Sequence, residues 1–259
     1  MKRLAGLLWR YVLLVLLCAV ALQLMFLLRI TLMRWIDPPS TTFQRSEIWR
    51  LASTRGELRW SQAWTPYARL PASLKRAVIA SEDAGFTDHG GVDWDAIEKA
   101  WERNERAQAR VDQLNAARER RTGARQPTTA VSRPATPKIV GGSTITQQLA
   151  KNLFLSGERS LLRKGQEFVL SLMLEALLDK QRILELYLNH VEWGEGVFGA
   201  QAAARHYFHT DVEHLAPMQS ARLAVMLPAP KRFEKLPGSP YVAGRAATIL
   251  ARMSAVELP

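Results

Sequence analysis

Residues 141–152 read GGSTITQQLAKN: two glycines, a run of hydroxyl and amide side chains and one lysine, with only Ile145, Leu149 and Ala150 apolar. That composition suits a polar turn entering a helix better than it suits core. The glycines permit backbone angles and close approaches that a Cβ would forbid. Ser143 and Thr144 supply N-cap oxygens, so a helix starts there and runs through Lys151. Gln147 and Lys151 lie four apart and share a face, with Gln148 beside them. These twelve residues alone allow two readings, an ordinary capped amphipathic helix or a grip for an anion or a sugar.

The chain has 259 residues, enough for one sizeable domain and an anchor. Residues 11–28, YVLLVLLCAVALQLMFLL, carry no charge and would span roughly 27 Å as a helix. We read a retained membrane-spanning anchor over 11–33. The run is too long for the apolar core of a signal peptide, and no small-residue cleavage site follows it. Lys2, Arg3 and Arg10 precede the span and Arg29 and Arg34 follow it, which favours residues 1–10 in the cytoplasm. The single cysteine, Cys18, lies within the span and says nothing about redox compartment. A net charge of +11 calls for an anionic partner. No zinc-finger, RNP or helix-turn-helix pattern occurs, which argues against nucleic acid, whereas lipid head groups or a lipid-linked phosphate suit an anchored chain.

Beyond the span the pattern is helical. Residues 34–44 read as a linker and 45–259 as one domain. Pro38, Pro39, Pro66 and Pro71 punctuate its start, with short strands or turns expected around Ile48 to Trp60. A short helix capped by Ser73 leads into Glu82. Residues 94–121 read as a long charged helix and 122–138 as a proline-bearing loop; further helices are expected over 144–155, 160–190, 197–208 and 217–227. The pattern shows no internal repeat and no convincing sheet.

Two more clusters carry possible chemistry. In EDAGFTDHGGVD, residues 82–93, a helix ends in adjacent carboxylates and enters a glycine-bearing turn with Phe86 and His89. Partial burial there could lift a carboxylate's pKa toward that of a working general base. In RSLLRKGQEFVLSLMLEALLDKQRILELYLN, residues 159–189, Leu162, Val169, Leu172, Met173, Ala176 and Leu177 recur at helical spacing and are expected to face a core. Arg159, Arg163 and Glu167 follow at four-residue steps, either an exposed ion-pair ladder or a cationic ridge suited to phosphate, which Lys151 could join.

Taken in order, the clusters resemble the motifs of the peptidoglycan glycosyltransferases. EDAGFTDHGGVD is similar to that family's first motif and GGSTITQQLAKN to its second. Arg163, Lys164 and Glu167 match its R-K-x-x-E pattern, and KQRILELYLN, residues 180–189, its K-x-x-I-L-E-x-Y-L-N pattern. GEGVFGAQAAARHYF, from Gly194 to Phe208, is also similar. The resemblance covers roughly residues 45–235. With the chain ending at Pro259 and neither Ser-x-x-Lys nor Lys-Thr-Gly in it, the resemblance is to the monofunctional biosynthetic form, without a transpeptidase.

The resemblance implies a mainly α, lysozyme-like domain that polymerises lipid II into β-1,4 glycan strands, releasing undecaprenyl diphosphate with inversion at the donor anomeric carbon. Glu82 would be the general base on the acceptor's 4-hydroxyl. Lys151, Arg159, Arg163 and Lys164 would hold the diphosphate. Glu167, matching the second essential glutamate, would position those cations, hold a divalent metal such as Mg or Mn, or assist departure; no cofactor is otherwise required. Ser143, Thr144, Gln147 and Gln148 would contact sugar or phosphate or cap the helix. Asp83, Phe86 and His89 would shape the turn. The partners implied are lipid II, the growing glycan, the membrane and cell-wall assembly proteins, with the domain on the periplasmic side of the inner membrane. A lysozyme-like hydrolase of finished peptidoglycan and an inactive lipid II-binding scaffold stand as alternatives. Two features depart from the family pattern. Residues 102–138 form a longer connection with nine Lys or Arg against four Asp or Glu, a net of +5, which we expect either to adhere to anionic head groups or to be a solvated helix and tail. Gln219 stands where glutamate is common.

Overall fold

The computed structural model describes residues 2–56, 60–122, 142–155 and 160–259. Its first helix, α1 (Lys2–Leu32), includes a 27-residue stretch of mean hydropathy 2.7, long and apolar enough to cross a membrane, and little of it is buried. The helix is more than an anchor, because Phe26 and Ile30 near its end, with Met33 just beyond, belong to the hydrophobic core of the domain. α2 (Thr42–Arg55) follows, opened by a capping box between Thr41 and Gln44 and closed by Gly56 at φ 65°. Residues 48–55 are therefore helical, where strands or turns were expected. The T-x-x-Q cap and the glycine stop outweigh the weak local pattern between them.

A three-stranded sheet, absent from the sequence reading, joins distant parts of the chain. β1 (Ser61–Gln62) pairs in parallel with β3 (Val197–Phe198), which pairs antiparallel with β2 (Glu192–Gly194). Strands of two or three residues leave no period to read. After β3, Gly199 sits at φ +79°, where a Cβ would come within 2.6 Å of the Asn189 carbonyl oxygen, so only glycine fits.

Helix α3 (Ala72–Glu82) starts after Pro71 rather than at Ser73, whose hydroxyl instead meets that of Ser220 at 3.0 Å. α4 (Trp94–Thr122) fulfils the long charged helix, and the expected loop beyond it lies outside the described residues. α5 (Ile145–Phe154), α6 (Leu161–Leu177) and α7 (Lys180–His190) form one packed group; α8 (Ala200–Phe208), α9 (Pro217–Met226), α10 (Pro230–Phe233) and α11 (Pro240–Arg252) complete the chain. The stretch 160–190 is thus two helices. Ser160 caps α6 through Arg163 N, and Asp179 caps α7 through Arg182 N at 2.7 Å. Tyr187, Trp193, Phe86 and Phe198 are the largest fully buried side chains.

The apolar stripe expected to bury α6 does so only in part. Met173 and Leu177 pack against the core, but Leu162, Val169, Leu172 and Ala176 are exposed, and the fully buried face is Glu167, Leu170, Ser171 and Leu174. α6 is apolar on two faces, and helical spacing alone cannot say which one meets the core. By its contacts the chain forms two units, Met1–Val92 with Thr144–Pro259, and Asp93–Ser143. In the second unit Asp93 Oδ1 accepts from Ala96 N at 2.8 Å at the start of α4, and Gly142 lies close enough to Ile97 that a Cβ would stand 3.2 Å from its Cα.

Candidate active site

Glu82 is the last residue of α3, half-buried, with Asp83 as the C-cap. Its Oε2 accepts from Gln148 Nε2 at 3.0 Å, and its Oε1 from Ser81 Oγ at 3.4 Å. Burial raises the Glu82 pKa above the usual carboxylate range and Asp83 adds to it, while the Gln148 and Ser81 hydrogen bonds oppose the shift. The turn after it is fixed by buried Asp83. Gly91 N donates to His89 Nδ1 at 3.1 Å, so the other ring nitrogen carries hydrogen, and Nε2 donates to Asp83 Oδ1 at 2.8 Å. The second oxygen, Asp83 Oδ2, accepts from Ile145 N at 3.0 Å. Asp83 therefore ties the end of α3 to the first residue of α5, pairing an N–H that a helix start otherwise leaves free.

Helix α5 opens with a capping box. Thr144 Oγ1 accepts from Gln147 N at 3.2 Å and donates to the Gly91 carbonyl at 2.6 Å; Gln147 Oε1 accepts from Thr144 N. Thr144 and Gln147 are buried and hold the start of the helix through this cap. Gln148, half-buried, faces Glu82. Ser143 is exposed and belongs to the other unit.

Three residues beyond Gln148, Lys151 projects to solvent from the same helix. The protein around it lowers its pKa, Arg163 and Lys164 add repulsion, and Glu167 opposes them. Glu167 is buried on α6; its Oε2 accepts from Arg163 Nη1 at 3.1 Å and its Oε1 pairs with the Lys164 ammonium. Arg163 Nε is buried without an acceptor among the described residues. Lys151, Arg163 and Lys164 thus gather around one carboxylate and leave an excess of positive charge. Arg159, placed with them from the sequence, lies outside the described residues.

Several supporting residues were not foreseen. Lys180 Nζ donates to the His89 carbonyl at 2.6 Å and to Glu175 Oε1 at 2.9 Å, and stands 4.5 Å from the centre of the buried Phe86 ring. Glu175 also accepts from Thr146 Oγ1. Tyr187, seven residues beyond Lys180 on α7, donates its hydroxyl to Gln148 Oε1 at 2.9 Å. The signal was present in KQRILELYLN, since positions seven apart share a helix face, but nothing in the sequence says what that face meets. Gln219 has a local role: its Oε1 accepts from Ala216 N at 2.8 Å at the start of α9.

Two acidic centres, Glu82 and Glu167, are thus served by one helix within a mainly helical domain. A family model described as transglycosylase matches residues 51–113 and 126–254, most of the chain, and the chain belongs to that family. Its relatives include a protein of Paraburkholderia xenovorans, 46% identical over 92% of this chain and 88% of its own. Others are one of Burkholderia pseudomallei, 48% identical over 92% and 82%, and one of Herminiimonas arsenicoxydans, 45% identical over the full length of both. Each of the three is named a biosynthetic peptidoglycan transglycosylase.

Proposed function

We propose that this chain, a peptidoglycan glycosyltransferase, takes lipid II as substrate and extends a glycan strand by inverting displacement of undecaprenyl diphosphate. Glu82 accepts the proton of the acceptor sugar's 4-hydroxyl as that oxygen attacks the donor anomeric carbon. The carbon–oxygen bond to the diphosphate breaks, its electron pair leaves with the phosphate, and a β-1,4 bond forms. A base must be ionised to act, and a pKa raised by burial makes its carboxylate a stronger proton acceptor.

Diphosphate needs its charge neutralised more than it needs a proton, and Lys151, Arg163 and Lys164 supply that charge. Arg163 offers Nε, a buried donor with no other acceptor among the described residues. Glu167 organises the cations. Both its oxygens are engaged by them, so one carboxylate ringed with positive charge suits this role better than that of a divalent-metal ligand, and no step is assigned to a metal. The observation that carries the reading is that α5 serves both halves of the reaction: Gln148 meets the base and Lys151, three residues on, joins the leaving-group cations.

The substrate seats the domain at a bilayer. The apolar part of α1 suits a single span with residues 1–10 in the cytoplasm and the domain on the periplasmic face of the inner membrane. The test is to give the purified full-length protein labelled lipid II and, separately, preformed glycan strands. Polymer from the first with no cleavage of the second is expected; cleavage without polymer would make it a hydrolase, and binding without either would make it a scaffold.

A further inference from the structure

Tyr187 is fully buried on α7, and the only hydrogen bond of its hydroxyl among those found in the described residues runs to the Gln148 carboxamide, not to the core around it. The direction of that bond follows from chemistry. An ionised carboxylate can only accept, so the nitrogen end of the Gln148 amide must face Glu82, as it does at 3.0 Å. The oxygen end then faces α7, where it needs a donor, and the Tyr187 hydroxyl provides one at 2.9 Å. With the amide turned round, its oxygen would oppose the Glu82 carboxylate and the base would lose its donor.

We propose that Tyr187 is a positioning residue for the reaction: its hydroxyl locks the Gln148 carboxamide so that the amide nitrogen, never the oxygen, meets the Glu82 carboxylate. This rests on Glu82 being the general base. Tyr187 touches no substrate; it acts through Gln148. The other groups around Glu82 are few. Asp83, next in the chain, raises its pKa, and Ser81, bonded also to the Ala224 carbonyl of α9, lowers it. α5 brings the neutral Gln148, and Tyr187 is the titratable group facing it from α7. The Tyr187 phenol is held well above its usual pKa by burial and by the charges of Glu82 and Asp83, so it remains a donor wherever the base works.

The test is the acid limb of kcat/KM for lipid II polymerisation by full-length protein in detergent, read for wild type, Y187F, Q148M and the double variant. Removing the donor destabilises the carboxylate, so Y187F and Q148M should each move the limb to higher pH, by up to about one unit. The double variant should match Q148M alone. Q148M removes the same donor directly and carries the test if Y187F folds poorly. A limb that stays in place in Q148M, or that moves in Q148M but not in a folded Y187F, overturns the proposal. A fall of about 10²–10⁴-fold in Glu82→Gln is required by the underlying reading; a Glu82→Gln protein as active as wild type would refute that reading, independently of the Tyr187 result.

Discussion

Asp83 spends both oxygens on structure, one on His89 and the other on Ile145 N, and thereby fixes where Glu82 stands relative to α5. Asp83→Ala leaves two buried donors unpaired and should cost about 2–3 kcal/mol, measured by denaturant unfolding. Activity should fall with it, because the turn that carries the base loosens. For Glu82 the pH dependence has a definite sign. The working form is the carboxylate, its pKa is raised above 4.5, and activity should therefore fall as pH drops through that raised value. Ser81→Ala removes a weak donor to Glu82 and should move this limb slightly upward, in a pH profile of polymerisation.

Helix α6 shows most clearly what a single element does that its sequence does not state. Its buried face carries Glu167 and Ser171 among leucines, while Leu161 and Leu162 stand 92% and 88% exposed beside Arg163 and Lys164. If the proposed lipid-linked substrate is right, these exposed leucines beside the cations have a ready solvent in the bilayer. Leu161→Asp with Leu162→Asp should leave thermal stability unchanged and lower polymerisation in lipid vesicles while sparing it in detergent. α1 meets this helix directly, through a reciprocal pairing of the Gln23 and Gln166 amides at 2.8 and 3.1 Å. The capped start of α5, the long charged α4 and the apolar first helix were legible because they depend on neighbours in sequence, as Thr144 with Gln147 does. The core face of α6, the helix at 48–55 and the short sheet were not: α6 has two apolar faces and only its packing chooses between them, the helix rests on caps at the edge of the window, and the sheet brings Ser61–Gln62 to Val197–Phe198 across more than a hundred residues. At the site, Glu82, Lys151, Arg163, Lys164 and Glu167 carried recognisable motifs; Tyr187 did not announce its role, since a buried tyrosine at helical spacing reads as core.

Across the molecule, two buried groups away from the reaction should govern how stability follows pH. Burial pushes the Glu192 carboxyl up to about 7, with Lys231 opposing and Glu47 adding to the shift. Between about 4.5 and 7 the folded state holds a proton that the unfolded state releases, so this group's contribution falls as pH rises. His190, buried two residues earlier, is lowered to about 4 by burial and by Arg182. It works the other way: the unfolded chain binds the proton first as pH falls below 6.5, and stability is lost toward about 4. The two slopes oppose each other over most of one window. Glu192→Gln should therefore raise the melting temperature at pH 8, leave it unchanged near pH 4, and expose the uncompensated His190 slope between them. A flat profile in the variant would remove this account.

The proposed membrane seat extends to the basic connection, of which α4 is the described part. Deleting 105–136 should weaken binding to anionic vesicles if that segment adheres to head groups; unchanged binding assigns the charge to solvent. Everything at the site, however, turns on Glu82. The most direct measurement is the rate of polymer formation from labelled lipid II by full-length wild type and Glu82→Gln, both shown folded by thermal melting. Loss of a general base predicts a fall of about 10²–10⁴-fold in the variant with substrate binding retained. A Glu82→Gln protein that polymerises lipid II at the wild-type rate would contradict the account.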